Sequence, residues 1–239
     1  MARELTGTDR EPSRWILLRL AAAVEATGKN IKDLTGLEKC KNLAQIKLTR
    51  NQISDLKPLK ELTNLESLDL ADNVIKDITP LANLKGLQLI DLSNNQIENL
   101  APLAGLTNLT ALYAEGDAIK DITPLAPLTE LWSLSLGRNK VKEIGVLEKV
   151  NKLSVLDLHD NKVADLGPLA KQTELTLLMI ERNKIKDLTP LVDAAKKDAE
   201  GPKRFAPYLR LHLSGNPLEE AAKAKQLDAL KAAGVRIEG

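Results

Sequence analysis

Apolar residues recur along this chain in a fixed frame, best seen in the unit LESLDLADNVIKDITPLANLKG that begins at Leu65. Its Leu-x-Leu core alternates with period two, which predicts a short strand with one buried and one solvated face. The frame returns with Asn51, Asn73, Asn95, Asp117, Asn139, Asn161 and Asn183 at its ninth place. There the chain must turn off the strand, and an amide can donate to and accept from backbone groups of adjacent turns. Asp33, Asp55, Asp77, Asp121, Asp165 and Asp187 precede a second turn, where a carboxylate can cap free N–H groups. Pro58, Pro80, Pro102, Pro124, Pro168 and Pro190 follow and limit that turn to a tight, 3₁₀-like helix. A partial copy, NIKDLTGLEKCKNL, begins at Asn30. Equal segments of this kind stack side by side, so the expected fold is an α/β solenoid with a parallel sheet on one side and short turns on the other.

A stack exposes apolar surface at its two ends and needs caps there. Residues 1–28 read as an N-terminal helical cap, with Ser13 as N-cap, Trp15, Leu18 and Ala22 on one face, and Gly28 as the stop. Residues 29–216 read as about eight repeats, and residues 217–239 as a C-terminal cap. In the latter, Asn216-Pro217 opens a helix, Gly234 closes it, and Val235 to Ile237 forms a last strand. One continuous domain is expected. The period breaks once, near residues 192–207, where VDAAKKDAEGPKRFAPY reads either as a lengthened helix on the turn side or as a binding excursion through Lys203, Arg204 and Phe205.

The stretch NQISDLKPLKELTNLESLDLADN resembles the 22-residue leucine-rich repeats of internalin-like bacterial proteins, over roughly Asn30 to Asn216. The resemblance implies a right-handed, curved horseshoe with a concave parallel sheet and short 3₁₀ turns on the convex side. It also implies recognition of protein ligands by side chains of the concave face. The tail GNPLEEAAKAKQLDALKAAGVRI reads as a cap and not as an immunoglobulin-like or wall-anchoring segment, so a host-cell adhesin role is not carried over.

Within each strand the third, fifth and seventh places point away from the core. Leu89, Ala111, Tyr113, Val155, Leu177 and Met179 place apolar bulk there, and Asp69, Asp91, Glu115, Asp157 and Glu181 make the same face acidic. Trp132, where a strand begins, is a candidate anchor beside them. An apolar strip edged with carboxylates suits a protein or peptide with basic and aliphatic side chains. The competing reading is a spacer or assembly subunit with no soluble ligand.

Charge and chemistry narrow the choice further. Lys plus Arg number 34 against 33 for Asp plus Glu, a net charge of +1 that offers no global field for nucleic acid. The 239-residue chain is 43% hydrophobic but only 2% aromatic, as a repetitive leucine core requires. No apolar run is long enough to insert in a membrane, and the expected state is a monomer. The compartment stays open between cytoplasm and export. His159 and His212 match no triad or zinc spacing, so no catalytic, cofactor or metal residues are assigned. Cys40 falls where Leu62 sits one repeat later and reads as a core residue. The fourth repeat is the least regular, with Ala114 in a leucine place and Asp117 in the asparagine place.

Overall fold

The structure, a computed structural model, describes residues 2–4 and 22–238. The chain divides into two compact units, one ending at Ala118 and the other beginning at Ile119. In the first unit the strands are β1 (Ala2–Glu4), β2 (Ala23–Glu25), β3 (Gln45–Lys47), β4 (Ser67–Asp69), β5 (Leu89–Asp91) and β6 (Ala111–Tyr113). Each pairs in parallel with the next, in a register that matches like places of successive repeats: Ile46 with Leu68, Leu68 with Ile90, Ile90 with Leu112. In the second unit β7 (Ser133–Ser135), β8 (Val155–Asp157), β9 (Leu177–Met179), β10 (Arg210–His212) and β11 (Arg236–Glu238) pair in the same way.

The leucine places form the core. Leu65, Leu68 and Leu70 are fully buried, as are their counterparts Leu87, Ile90 and Leu92 in the next repeat. Cys40 is buried among them. The ninth-place asparagines close the backbone account. Asn73 Oδ1 accepts from Ile53 N–H at 3.0 Å, and its Nδ2 donates to the carbonyls of Leu48 and Leu70 at 3.0 and 2.9 Å. Asn95 repeats the arrangement one turn on. The aspartates before the turns behave as the sequence predicts: Asp55, Asp77, Asp121, Asp165 and Asp187 each accept from the backbone N–H two residues later. Three-residue 3₁₀ helices such as Lys57–Leu59 and Thr79–Leu81 follow, with proline in their first turn.

Two features lie outside the sequence reading. The eighth place is left-handed in repeat after repeat, at Arg50, Asp72, Asn94, Arg138, Asp160 and Arg182, with φ between 51° and 57°. Glycine would adopt that geometry more easily, yet these polar side chains pair across repeats: Asn94 Nδ2 donates to Asp72 Oδ1, and Arg182 forks onto Asp160 through two 2.6 Å bonds. Second, β2 occupies the end of the stretch read as a helix. Val24 and Ala26 are buried in leucine places, and Gly28 (φ 67°) is the left-handed turn after the strand, not a helix stop. Ser13, Trp15 and Leu18 lie outside the described residues.

At the other end α1 (Thr189–Glu200) and α2 (Glu220–Ala232) supply the helices. Gly234, at φ 103°, ends α2, with Val235 N–H returning to the Leu230 carbonyl before β11 begins. The insertion is therefore a lengthened helix leading back to β10. Phe205, read as one element of a possible excursion, is 1% exposed and packs in the core. The buried Asp198 fixes that return by accepting from the N–H groups of Arg204, Phe205 and Ala206 at 2.9–3.1 Å. Burial raises the pKa of its carboxyl, but these three donors outweigh that cost and hold it below the usual carboxylate range.

Candidate functional site: the open strand face

In the first unit, register places Ser67, Leu89 and Ala111 in one row and Asp69, Asp91 and Tyr113 in the next. Leu89, Asp69, Asp91, Tyr113 and Glu115 are half-buried and so present part of their surface. Ala111 does not: at 2% exposure its methyl is too short to rise beside the bulkier groups of its row. The place points outward as periodicity predicts, but side-chain length decides whether it reaches solvent.

The fifth-place carboxylates also have a structural task. Asp69 accepts from Ala71 N–H at 3.1 Å and from Thr49 Oγ1 at 2.8 Å, and Asp91 accepts from Ser93 N–H at 2.9 Å. Each closes the strand into the left-handed turn that follows. Burial raises the pKa of Asp91, the Ser93 donors work against that, and the charges of Asp69 and Asp72 raise it further; the net is a value above the usual carboxylate range.

Asp117 carries the largest perturbation. Its Oδ1 accepts from Ile97 N–H at 2.8 Å, in the manner of the ladder asparagines, but its Oδ2 is buried with no hydrogen-bond partner. Burial is the main cause that pushes its carboxyl up to about 7, opposed by the Ile97 and Asn95 backbone and aided by Asp91.

In the second unit Val155 is in register with Leu177, and Asp157 with Met179 and then His212. Val155, Leu177, Met179 and Glu181 are half-buried. Asp157 is 5% exposed and fully engaged: Oδ2 takes Ser135 Oγ at 3.2 Å, and Oδ1 takes His159 N–H at 3.0 Å and lies 2.7 Å from His159 Nδ1. The serine, carboxylate and imidazole are thus neighbours in an order unlike a nucleophilic triad. The carboxylate sits between the other two, and Ser135 makes its bond to Asp157, not to a base. Gly137 leaves room for the imidazole, since a Cβ there would lie 2.2 Å from His159 Cε1.

Sequence columns contain His159 and His212, but periodicity alone does not single them out. The structure does, by setting His212 Nε2 3.1 Å from Glu238 and Nδ1 3.9 Å from Glu181. Trp132 stands apart from these rows. It precedes β7 at the flank where the strands begin, and is 48% exposed. Among the described residues no group of three or more His, Cys, Asp or Glu side chains is placed to hold a metal ion, and no helix is long and apolar enough to cross a membrane.

Stacked parallel strands, asparagine ladders and 3₁₀ returns define a leucine-rich-repeat protein, and the family described as "Leucine Rich repeats (2 copies)" matches residues 45–83, 63–105 and 85–127. Internalin C2 from Listeria monocytogenes is 37% identical over 75% of this chain and 80% of that one, with a TM-score of 0.73. The chain belongs to the internalin-like leucine-rich-repeat proteins. A leucine-rich-repeat protein of Leptospira interrogans shares the fold at 18% identity, covering 99% of this chain and 71% of that one, with a TM-score of 0.75. So does the ectodomain of the Arabidopsis thaliana receptor kinase GASSHO1/SCHENGEN3, solved in complex with CASPARIAN STRIP INTEGRITY FACTOR 2, at 20% identity and a TM-score of 0.69; the match covers 90% of this chain and 25% of that one. No curated protein matches. The leucine-rich-repeat fold is in general one of protein–protein interaction, and its members are typically non-enzymatic.

Proposed function

We propose that the open strand face is a binding surface for a protein or extended peptide with basic and aliphatic side chains. The observation that carries this reading is the interleaving, in fixed register, of half-exposed apolar side chains with carboxylates: Leu89 and Tyr113 among Asp69, Asp91 and Glu115 in one unit, and Leu177 and Met179 beside Glu181 in the other. Aliphatic contact supplies the desolvated centre of such an interface, and carboxylates at its rim select basic partners and speed their approach. The plant receptor ectodomain of the same fold, solved in complex with CASPARIAN STRIP INTEGRITY FACTOR 2, supports a binding use of this fold. Asp157 and Ala111 support the face from beneath and offer a partner little area.

Capture of partners with the wild-type chain and with a Tyr113→Ala, Met179→Ala double variant tests the reading. The variant is expected to bind at least about tenfold more weakly, since truncating a central aromatic or apolar anchor costs more than ~1 kcal/mol each. Equal recovery by both chains would remove this face from contention.

A further inference from the structure

Several charged side chains that stack one repeat apart meet the opposite sign: Lys47 lies 3.4 Å from Glu25, Lys152 2.7 Å from Glu130, and Arg182 2.6 Å from Asp160. In the second unit the place after the ladder asparagine does the reverse. Lys140, Lys162 and Lys184 occupy it in three successive repeats, where the first unit has Gln52, Val74 and Gln96. Their backbones are in register, since Lys162 N–H donates to the Val141 carbonyl and Lys184 N–H to the Val163 carbonyl, each at 2.8 Å. All three lysines are exposed, one per repeat at steps of roughly 5 Å, along the flank where the strands end. Lys186, two residues beyond Lys184, is exposed as well.

None of these four lysines makes a side-chain hydrogen bond or ion pair among the described residues. The carboxylates that share their repeats are engaged elsewhere: Asp160 by Arg182, Asp165 by Gly167 N–H, and Asp187 by Thr189 and Gln226. Glu219 closes the row at its far end, its N–H donating to the Lys186 carbonyl at 3.0 Å. Like charges set directly side by side repel one another. The fold gains nothing from this row, and its anionic counterpart has to come from outside.

The strip is one lysine wide in the middle repeat, where Asp160 precedes Lys162 and Asp165 follows it. A broad anion such as a membrane surface or duplex DNA would press on those carboxylates too. The segments 138–143, 160–165 and 182–187 also have no aromatic side chain on which bases could stack. A slim acidic segment meets the lysines alone. Two steps along the row cover roughly 10 Å, close to the ~11 Å of two helical turns. Three carboxylates on one side of an extended peptide would span about 13 Å.

We propose that Lys140, Lys162, Lys184 and Lys186 form a docking rail, separate from the open strand face, for an acidic helix of a partner protein whose carboxylates recur once per turn on one side.

The test titrates the full chain into a labelled, alanine-based helical peptide with glutamates along one side, and into a peptide of the same composition with them spread around the helix. Fluorescence anisotropy is expected to show saturable binding of the first peptide that weakens as salt rises. Binding should be at least about fivefold weaker for the second peptide and for a Lys140→Gln, Lys162→Gln, Lys184→Gln variant. A Lys60→Gln, Lys85→Gln, Lys149→Gln variant removes as much charge from exposed sites outside the row, and Tyr113→Ala alters the open face; both should bind as the wild type does. No saturable binding, equal binding of the two peptides, equal loss in the two lysine variants, or tighter binding of duplex DNA or phosphatidylglycerol vesicles than of the first peptide overturns the proposal.

Discussion

Replacing Asp117 with asparagine is expected to raise the stability of the chain by about 1–3 kcal/mol at pH 8 and by much less at pH 5. At this position every neighbouring repeat from Asn51 to Asn183 has an amide. The pattern of Asn95, whose Nδ2 donates to the carbonyls of Leu70 and Leu92, places an amide at 117 within reach of Leu92 and Ala114. The aspartate presents an unpartnered buried oxygen there instead. Its carboxyl titrates near 7 in the folded chain, against about 3.9 in an unfolded one. Between those values the folded state holds the extra proton, so stability falls as pH rises from about 4 to about 7 and is level above. The full shift corresponds to ~4 kcal/mol; partial solvent access lowers the expected figure to the range given. Urea midpoints of both proteins at pH 5 and pH 8 measure it. The same gain at both pH values would mean that the carboxyl is not the strained group.

The opposite change, Asn95→Ala, is expected to cost about 3–5 kcal/mol. It strips a donor from the Leu70 and Leu92 carbonyls and an acceptor from Ile75 N–H, all in a dry interior. Asn64→Ala is the matched control. Asn64 also donates to a backbone carbonyl one repeat back, Lys41 at 2.8 Å, but it is exposed, and its loss should cost under ~0.5 kcal/mol. Similar losses in the two variants would show that the ladder asparagines do not hold the repeats together.

These contrasts also show how far the sequence can be read. Fixed spacing exposes the strands, the buried leucines, the asparagine ladder and the capping aspartates, because each is a local rule repeated until it is unmistakable. It fails at β2, where Val24 and Ala26 take leucine places and Lys29 the asparagine place; small residues in an apolar run look helical when the polar marker is gone. It places Phe205 among the charged residues of an insertion, although the return to β10 draws that ring inward. On the open face, periodicity assigns direction but not height or occupation. It therefore ranks Ala111 with Leu89 and Asp157 with Glu181, although Ala111 is covered and Asp157 is fully bonded to Ser135 and His159. Those distinctions depend on side-chain length and on partners one repeat away, which a column of letters does not contain.

The binding role of the strand face is tested most directly by where a partner can be cross-linked. A photoreactive amino acid at Leu89 or Leu177 samples the open face, and one at Lys60 or Lys171 samples the opposite, 3₁₀-turn side. The account predicts a covalent adduct to the same protein or peptide from the first pair and none from the second. Adducts formed only through Lys60 or Lys171 would contradict it.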